Sequence, residues 1–253
     1  MKLVYVVPGP IDKKELERRG EILCEWISSD VEIDIVRVEE GPASIESMYE
    51  EFLSIPATAK KIYELEQQGY DAAIIGCAGD PGIEAYREIT TRMLVVGPGM
   101  SSVHAAAMLG YRFSILNASL STIPNSYELV RKAGLIEKLA SIRPLNIPVL
   151  ELSNDRTATL EKLRRITERA ISEDGADSIV LKCMSMGFLH LAEDLQDALG
   201  IPVINPVKTS LMASEFLVKS GLSHSNKAFL QPPKLAQCKV QSIDELYVRV
   251  NSK

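Results

Sequence analysis

Two stretches decide the fold: GYDAAIIGC at residues 69–77 and GADSIVLKC at 175–183. Each runs from a glycine through an aspartate into an unbroken apolar, largely β-branched run and stops at a cysteine. A short apolar run of this kind, entered from a Gly-x-Asp or Ala-Asp lead-in, reads as a strand of a parallel sheet. Beyond each cysteine comes a helical segment and then another short apolar run. Val95 follows Cys77 by 18 residues and Val203 follows Cys183 by 20. A self-similar order at a fixed interval reads as an internal repeat, so the two cysteines occupy equivalent places in two half-chains.

Working outward, short β-branched runs alternate with longer segments of helical period, which predicts an α/β fold. The first half reads as strands at 3–7, 32–38, 72–76 and 93–96, with helices near 12–28, 44–69, 80–90 and 101–109. The second reads as strands at 112–117, 147–152, 178–182 and 201–205, with helices near 124–140, 156–174, 188–199 and 208–220. Each half is expected to be a four-stranded parallel sheet flanked by helices, the two related by pseudo-symmetry.

Composition excludes several function classes. The 253 residues carry 34 acidic and 28 basic side chains for a formal net charge of -6. The cations are dispersed, so the electrostatic footprint of a nucleic-acid partner is missing. The apolar runs are too short to span a bilayer, and no basic leader precedes an apolar segment, so a cytoplasmic location and no membrane partner are expected. The cysteines are Cys24, Cys77, Cys183 and Cys238, without CxxC or CxxH spacing. Free thiols are expected, and no metal site.

Chemistry concentrates at the two strand ends. In open parallel sheets ligands bind beyond the carboxyl ends of the strands, where loops lead into helix N-termini. If the halves face each other, Cys77 and Cys183 approach a common cleft from opposite sides. Inverting a stereocentre with an acidic C–H requires a base on one face and a proton donor on the other, exchanging roles for the opposite enantiomer, and a pair of like groups satisfies this. A thiol has a pKa of about 8.5, within reach of neutrality if a cation or amide lowers it. Either thiol alone reads as a small buried hydrophobe. Their matched placement, followed by CAGDPG and CMSMG, favours catalysis. Lys182 could lower the pKa of Cys183, although neighbours on a strand point to opposite faces. Asp80, before Pro-Gly, reads as capping and turn chemistry. GPGMSS at 97–102 lacks the Gly-Lys-Ser/Thr of a P-loop and reads as a cleft-lining loop at a helix start. Cys24, Cys238, His104 and His190 read as non-functional.

With these segments in view, the chain resembles the aspartate/glutamate racemase superfamily, most closely its hydantoin racemase branch, over residues 1–227. The resemblance is carried by GPASIES at 41–47, YDAAIIGCAGDPGIEAYREIT at 70–90, VVGPG at 95–99, GYRFSIL at 110–116, ADSIVLKC at 176–183 and GIPVIN at 200–205, in family order. It implies a cofactor-independent racemase or epimerase with Cys77 and Cys183 alternating as acid and base, a small carbonyl or carboxylate substrate, and a homo-oligomer. It also implies that the last helices return to the first domain, giving one domain of 1–104 plus 206–253 and another of 105–205. Pro8, Ala78 and Gly79 on one side, and Asn117, Met184 and Ser185 on the other, are then expected to contact substrate together with Gly97.

The departures bear on substrate. Where the family commonly has an Asn-Thr segment after the first strand, this chain has VVPGPID at 6–12. Met184 and Ser185 replace an Ala-Gly pair, and Asn117 replaces a threonine. The Thr-His pair of the amino-acid racemases is missing after Cys183, so a ring amide such as a hydantoin fits better than free aspartate or glutamate. Alternatives are an amino-acid racemase, a decarboxylase or a maleate-type cis-trans isomerase in the same cleft, or a small-molecule binding protein without turnover. After Asn226 the resemblance fades; LYVRV at 246–250 reads as an edge strand or arm, or as a loose tail.

Overall fold

The structure, a computed structural model, describes residues 1–247. The first half comprises β1 (Lys2–Val7), α1 (Lys13–Trp26), β2 (Glu32–Arg37), α2 (Met48–Gln67), β3 (Ala72–Ile75), α3 (Ile83–Glu88), β4 (Leu94–Val96) and α4 (Pro98–Leu109). The second comprises β5 (Phe113–Asn117), α5 (Ile123–Lys132), β6 (Leu139–Pro144), α6 (Arg156–Asp174), β7 (Ser178–Lys182), α7 (Met184–Phe188), α8 (Leu191–Leu199), β8 (Val203–Ile204) and α9 (Pro206–Lys219). Two four-stranded sheets result, ordered β2-β1-β3-β4 and β6-β5-β7-β8, every pairing parallel. The α/β class and the two equivalent sheets are as the sequence predicts.

The Gly-x-Asp lead-in has a physical cause. Asp71 accepts the amide of Lys2 at 2.7 Å and returns its own amide to the Lys2 carbonyl at 2.8 Å. Asp177 repeats this in the second half, accepting the amides of Tyr111 at 2.7 Å and Arg112 at 3.1 Å while donating to the Arg112 carbonyl at 2.9 Å. Each aspartate thus clamps the start of the third strand of its half to the start of the first. That fixes the register Leu3↔Ala72 and Phe113↔Ser178 and, with it, the height at which each cysteine emerges.

Burial on both faces follows the unbroken apolar runs. Leu3, Tyr5 and Val7 of β1 pack toward α1 and α9, whereas Val4 and Val6 pack on the other face with Ile62, Leu65 and Tyr86. Each fully buried side chain of this size contributes roughly 1.5–3 kcal/mol relative to exposure. The two halves also exchange a helix. Val103 and Ala106 of α4 pack with Phe113, Ile115 and Val180 of the second sheet, while Val207 and Leu211 of α9 pack with Leu3, Tyr5 and Ala72 of the first.

One strand lies elsewhere than expected. The segment 147–152 is not a strand: β6 occupies Leu139–Pro144, and Val149–Glu151 forms a 3-10 turn. The helix expected at 124–140 correspondingly stops at Lys132, because Gly134 takes φ +70 and turns the chain out of the helix. The strand LASIRP sits at the sheet edge with all six positions half-buried, so it carries neither a clean alternation nor a continuous apolar run. A second difference follows Cys183. The expected helix 188–199 is preceded by the short α7 and begins only at Leu191, after His190 at φ +57. Most of LYVRV lies outside the described residues.

Candidate active site

The carboxyl ends of β1, β3 and β7 converge on one cleft. Val7 ends β1 and Pro8 and Gly9 follow it, Gly76 to Gly79 follow β3, and Lys182 ends β7 with Cys183 to Ser185 after it; the loop 42–46 and Ala118, Ser119, Val149 and Leu150 add to the walls. The cavity holds about 120 Å³, several times the ~10–15 Å³ that admits one water on this measure. Both Cys77 and Cys183 line it.

Local geometry presents each thiol. After β3 the Gly76 amide extends the ladder to the Val6 carbonyl at 2.8 Å, and the chain then turns so that the Asp80 amide bonds the Cys77 carbonyl at 3.2 Å. Burial and, next, the Glu51 carboxylate push the Cys77 thiol up to about 12, against the opposing pull of the Gly79 amide and the Lys182 ammonium. Burial also raises the Cys183 thiol, which the amides of Met186 and Ser185, the Arg19 guanidinium and the Ser185 side chain counter. Each thiol therefore meets a cation from the other half of the chain: Arg19, on α1, bears on Cys183, and Lys182, at the end of β7, bears on Cys77.

These cations are held in place. Arg19 donates through Nε to Glu15 at 2.7 Å, reaches the Ser185 hydroxyl at 3.4 Å and lies 5.0 Å above the Phe188 ring. Glu15 also pairs with Arg18, and despite partial burial its carboxyl is held down at about 2 by the two guanidiniums. Lys182 donates to Asn125 Oδ1, and Asn125 Nδ2 in turn donates to Glu51 at 2.8 Å and to the Gly79 carbonyl at 3.2 Å. Burial lowers the Lys182 pKa, opposed by Glu51, Cys77, Asp80 and Cys183.

Two glycines exist because acids press on them. A Cβ at Gly79 would stand 2.4 Å from Glu51 Oε1, and one at Gly97 would stand 2.4 Å from Asp80 Oδ2. Asp80 accepts the amides of Gly99 at 2.8 Å and Met100 at 2.7 Å at the start of α4. Burial nonetheless lifts its carboxyl to about 6, and burial raises Glu51 as well.

Of the residues expected to contact substrate, Pro8, Ala78, Gly79, Met184 and Ser185 line the cleft with the two cysteines. Gly97 and Asn117 do not. Gly97 lies beneath Asp80, and Asn117 is fully buried, donating to Thr122 at 2.8 Å and Ser126 at 2.9 Å. It is Thr122, not Asn117, that faces the cleft. His104 is exposed with Nδ1 2.9 Å from the Met100 carbonyl, His190 packs edge-on to Trp26, and Cys24 and Cys238 are exposed. Among the described residues no three His, Cys, Asp or Glu side chains are grouped to bind a metal, and no helix is long and apolar enough to cross a membrane.

Sequence reasoning missed Arg19, Glu51, Thr122 and the Val149–Leu150 wall. Glu51 is one of four glutamates in α2, of which Glu66 is buried as well, and nothing in the chain marks Glu51 as the one that lines the cleft. Val149 and Leu150 were hidden by reading their segment as a strand. Lys182, read from the sequence as a group that could lower the pKa of Cys183, lines the cleft at the last position of β7 and bears on Cys77.

Comparison with known proteins agrees with this architecture. The family model Asp/Glu/Hydantoin racemase matches residues 21–213. The chain is 39% identical to a hydantoin racemase of Pseudomonas sp. (strain NS671) over 207 residues, covering 81% of this chain and 82% of the relative. It is 36% identical to a hydantoin racemase of Paenarthrobacter aurescens, covering 79% and 84%. In structure it resembles an allantoin racemase from Klebsiella pneumoniae with a TM-score of 0.85 at 30% identity, covering 92% of this chain and 94% of that one. The chain belongs to the Asp/Glu/hydantoin racemase family and is an isomerase of the racemase type.

Proposed function

We propose that the protein inverts the α-carbon of a hydantoin-like ring amide, with Cys77 and Cys183 alternating as base and acid. The observation that carries this reading is that two free thiols, each just past the end of an equivalent strand, line one cleft large enough for a small molecule. The likeness to hydantoin and allantoin racemases supports the substrate class.

In the proposed cycle one cysteine is a thiolate and the other a thiol. The thiolate removes the α-proton from one face, leaving an enolate whose charge spreads onto the adjacent carbonyl oxygen. The thiol on the other face then returns a proton to carbon. The product is the opposite enantiomer and the two cysteines have exchanged protonation states, so the reverse reaction starts from the other thiolate. Positioned proton transfer of this kind contributes about 10²–10⁴ in rate per step. Ala78, Gly79, Met184 and Ser185, in the loops after the two cysteines, are the proposed substrate contacts, with Pro8 from the first strand. Gly97 and Asn117 act from behind, through Asp80 and Thr122.

The test is polarimetry on single enantiomers of 5-substituted hydantoins and of allantoin. Loss of optical rotation in wild type, abolished in Cys77→Ser and in Cys183→Ser, is the expected result. Stable rotation with every compound would overturn the reading.

We further propose that the protein is a homo-oligomer. Met48, Tyr49, Phe52 and Leu53 at the start of α2 are exposed apolar side chains, a surface of the kind that self-association covers. Native mass spectrometry decides it: a monomer at micromolar concentration would contradict the proposal.

A further inference from the structure

We propose that Lys182 is the counter-ion that allows Cys77 to take up its role as base, acting across the cleft from the half of the molecule opposite Cys77. The inference rests on the two-thiol reading above and adds a positioning residue to it.

The geometry is a short chain of contacts. Lys182 is the last residue of β7 and lines the cleft with Cys77 and Cys183. Its ammonium is tethered to Asn125 Oδ1 on α5. The Asn125 amide bonds Glu51 Oε2 on α2 at 2.8 Å and the carbonyl of Gly79 at 3.2 Å, in the loop that carries Cys77. The ammonium is therefore anchored to the wall of Cys77 rather than left free beside its sequence neighbour.

The need for it follows from the surroundings of Cys77. Glu51 and Asp80 stand near the thiol and are themselves buried at 8% and 7% exposure. A thiolate forming there adds negative charge to a poorly hydrated corner that already contains two carboxyl groups, and like charges in such a corner disfavour ionisation. The charged and titratable groups facing Lys182 are Glu51 from α2, Asp80 and Cys77 from the loop after β3, and Cys183 beside it. Lys182 is the cation that bears on Cys77 there, while Arg87 of α3 bears on Asp80. Arg19, from α1, faces Cys183 instead. An opposite charge within a few ångström favours the thiolate, and removing it raises the pKa.

The experiment needs no substrate. Alkylation of Cys77 by iodoacetamide, followed peptide by peptide by mass spectrometry between pH 7 and 10, reports the thiolate fraction directly. In Lys182→Met and Lys182→Gln the Cys77 rate at a fixed pH in this range should fall by about tenfold or more, one pKa unit being one decade of thiolate. Lys182→Arg should restore most of it, and Cys183 should change less than Cys77. The Met and Gln variants differ in polarity, so if one fails to fold the other carries the comparison. An unchanged Cys77 rate in the folded neutral variant, or no recovery with arginine, overturns the proposal. Inactivity of wild type toward every substrate would instead strike the racemase reading and leave the alkylation result to stand alone.

Discussion

Cys77 and Cys183 line one cleft, yet each meets a different electrostatic frame. The Cys183 sulfur faces the amides of Ser185 and Met186 and the guanidinium of Arg19, while the Cys77 sulfur faces the Gly79 amide and the Lys182 ammonium against two carboxyl groups. A symmetric reaction is thus served by an asymmetric pair. The two directions of turnover should differ in kcat and KM even though the equilibrium between enantiomers of a single-centre substrate is unity, which forces kcat/KM to agree. Initial-rate kinetics from each pure enantiomer check this, and identical kcat values would argue against an asymmetric pair.

Gly79 and Gly97 are where the site is least tolerant of added volume. Gly79→Ala places a methyl within 2.4 Å of Glu51 Oε1, and Gly97→Ala does the same to Asp80 Oδ2. Overpacking of this kind costs about 1–3 kcal/mol. Urea unfolding should show that loss in both variants. Gly79→Ala should also lose activity, since Glu51, which lines the cleft and is bonded to Asn125, must shift to admit the methyl. Wild-type stability in either variant would mean that the carboxylates move freely.

Asp80 gives the fold a pH dependence whose sign can be worked out. Its carboxyl sits at about 6 in the folded protein against 3.8 for the ordinary group, chiefly because it is buried. The folded state therefore retains a proton that the unfolded chain gives up between these values. Stability from this group is fully present below pH 3.8 and is lost as the pH rises through 6. Comparison with Asp80→Asn isolates it. The stability of wild type relative to the variant should decline by about 3 kcal/mol between pH 4 and 7, the equivalent of two pKa units. A pH-independent difference would contradict the assignment.

The clamps Asp71 and Asp177 should behave as equivalents. Replacing either with alanine removes the carboxylate acceptor of solvent-exposed strand-start amides, at a cost of about 0.5–1.5 kcal/mol each. Because the two lie in different halves, the double variant should show additive losses in urea. Strong non-additivity would indicate that the two sheets do not carry these clamps independently.

Much of this was legible in the chain because the repeat carries its own physics. The Gly-x-Asp before each apolar run is a register clamp, the run is a strand buried on both faces, and the cysteine marks the edge where ligands bind. The edge strand LASIRP was not legible, since its six half-buried positions give no period to read. Nor was the pairing of site groups across the halves. That Arg19 on α1 faces Cys183 and that Asn125 on α5 bonds Glu51 on α2 depends on how the two halves are packed together, which local sequence does not encode. Asn117 shows the limit from the other side: it stands at a strand end where a substrate contact is expected, but its side chain is spent on Thr122 and Ser126, and the threonine faces the cleft.

The central claim, one thiol on each face of the substrate carbon, is tested most directly by α-proton exchange in D₂O followed by NMR, using each pure enantiomer with Cys77→Ser and Cys183→Ser. The account predicts that neither variant inverts substrate, that Cys77→Ser still exchanges the α-proton of one enantiomer only, and that Cys183→Ser exchanges only the other. Inversion surviving in either variant, or exchange of the same enantiomer by both, would contradict it.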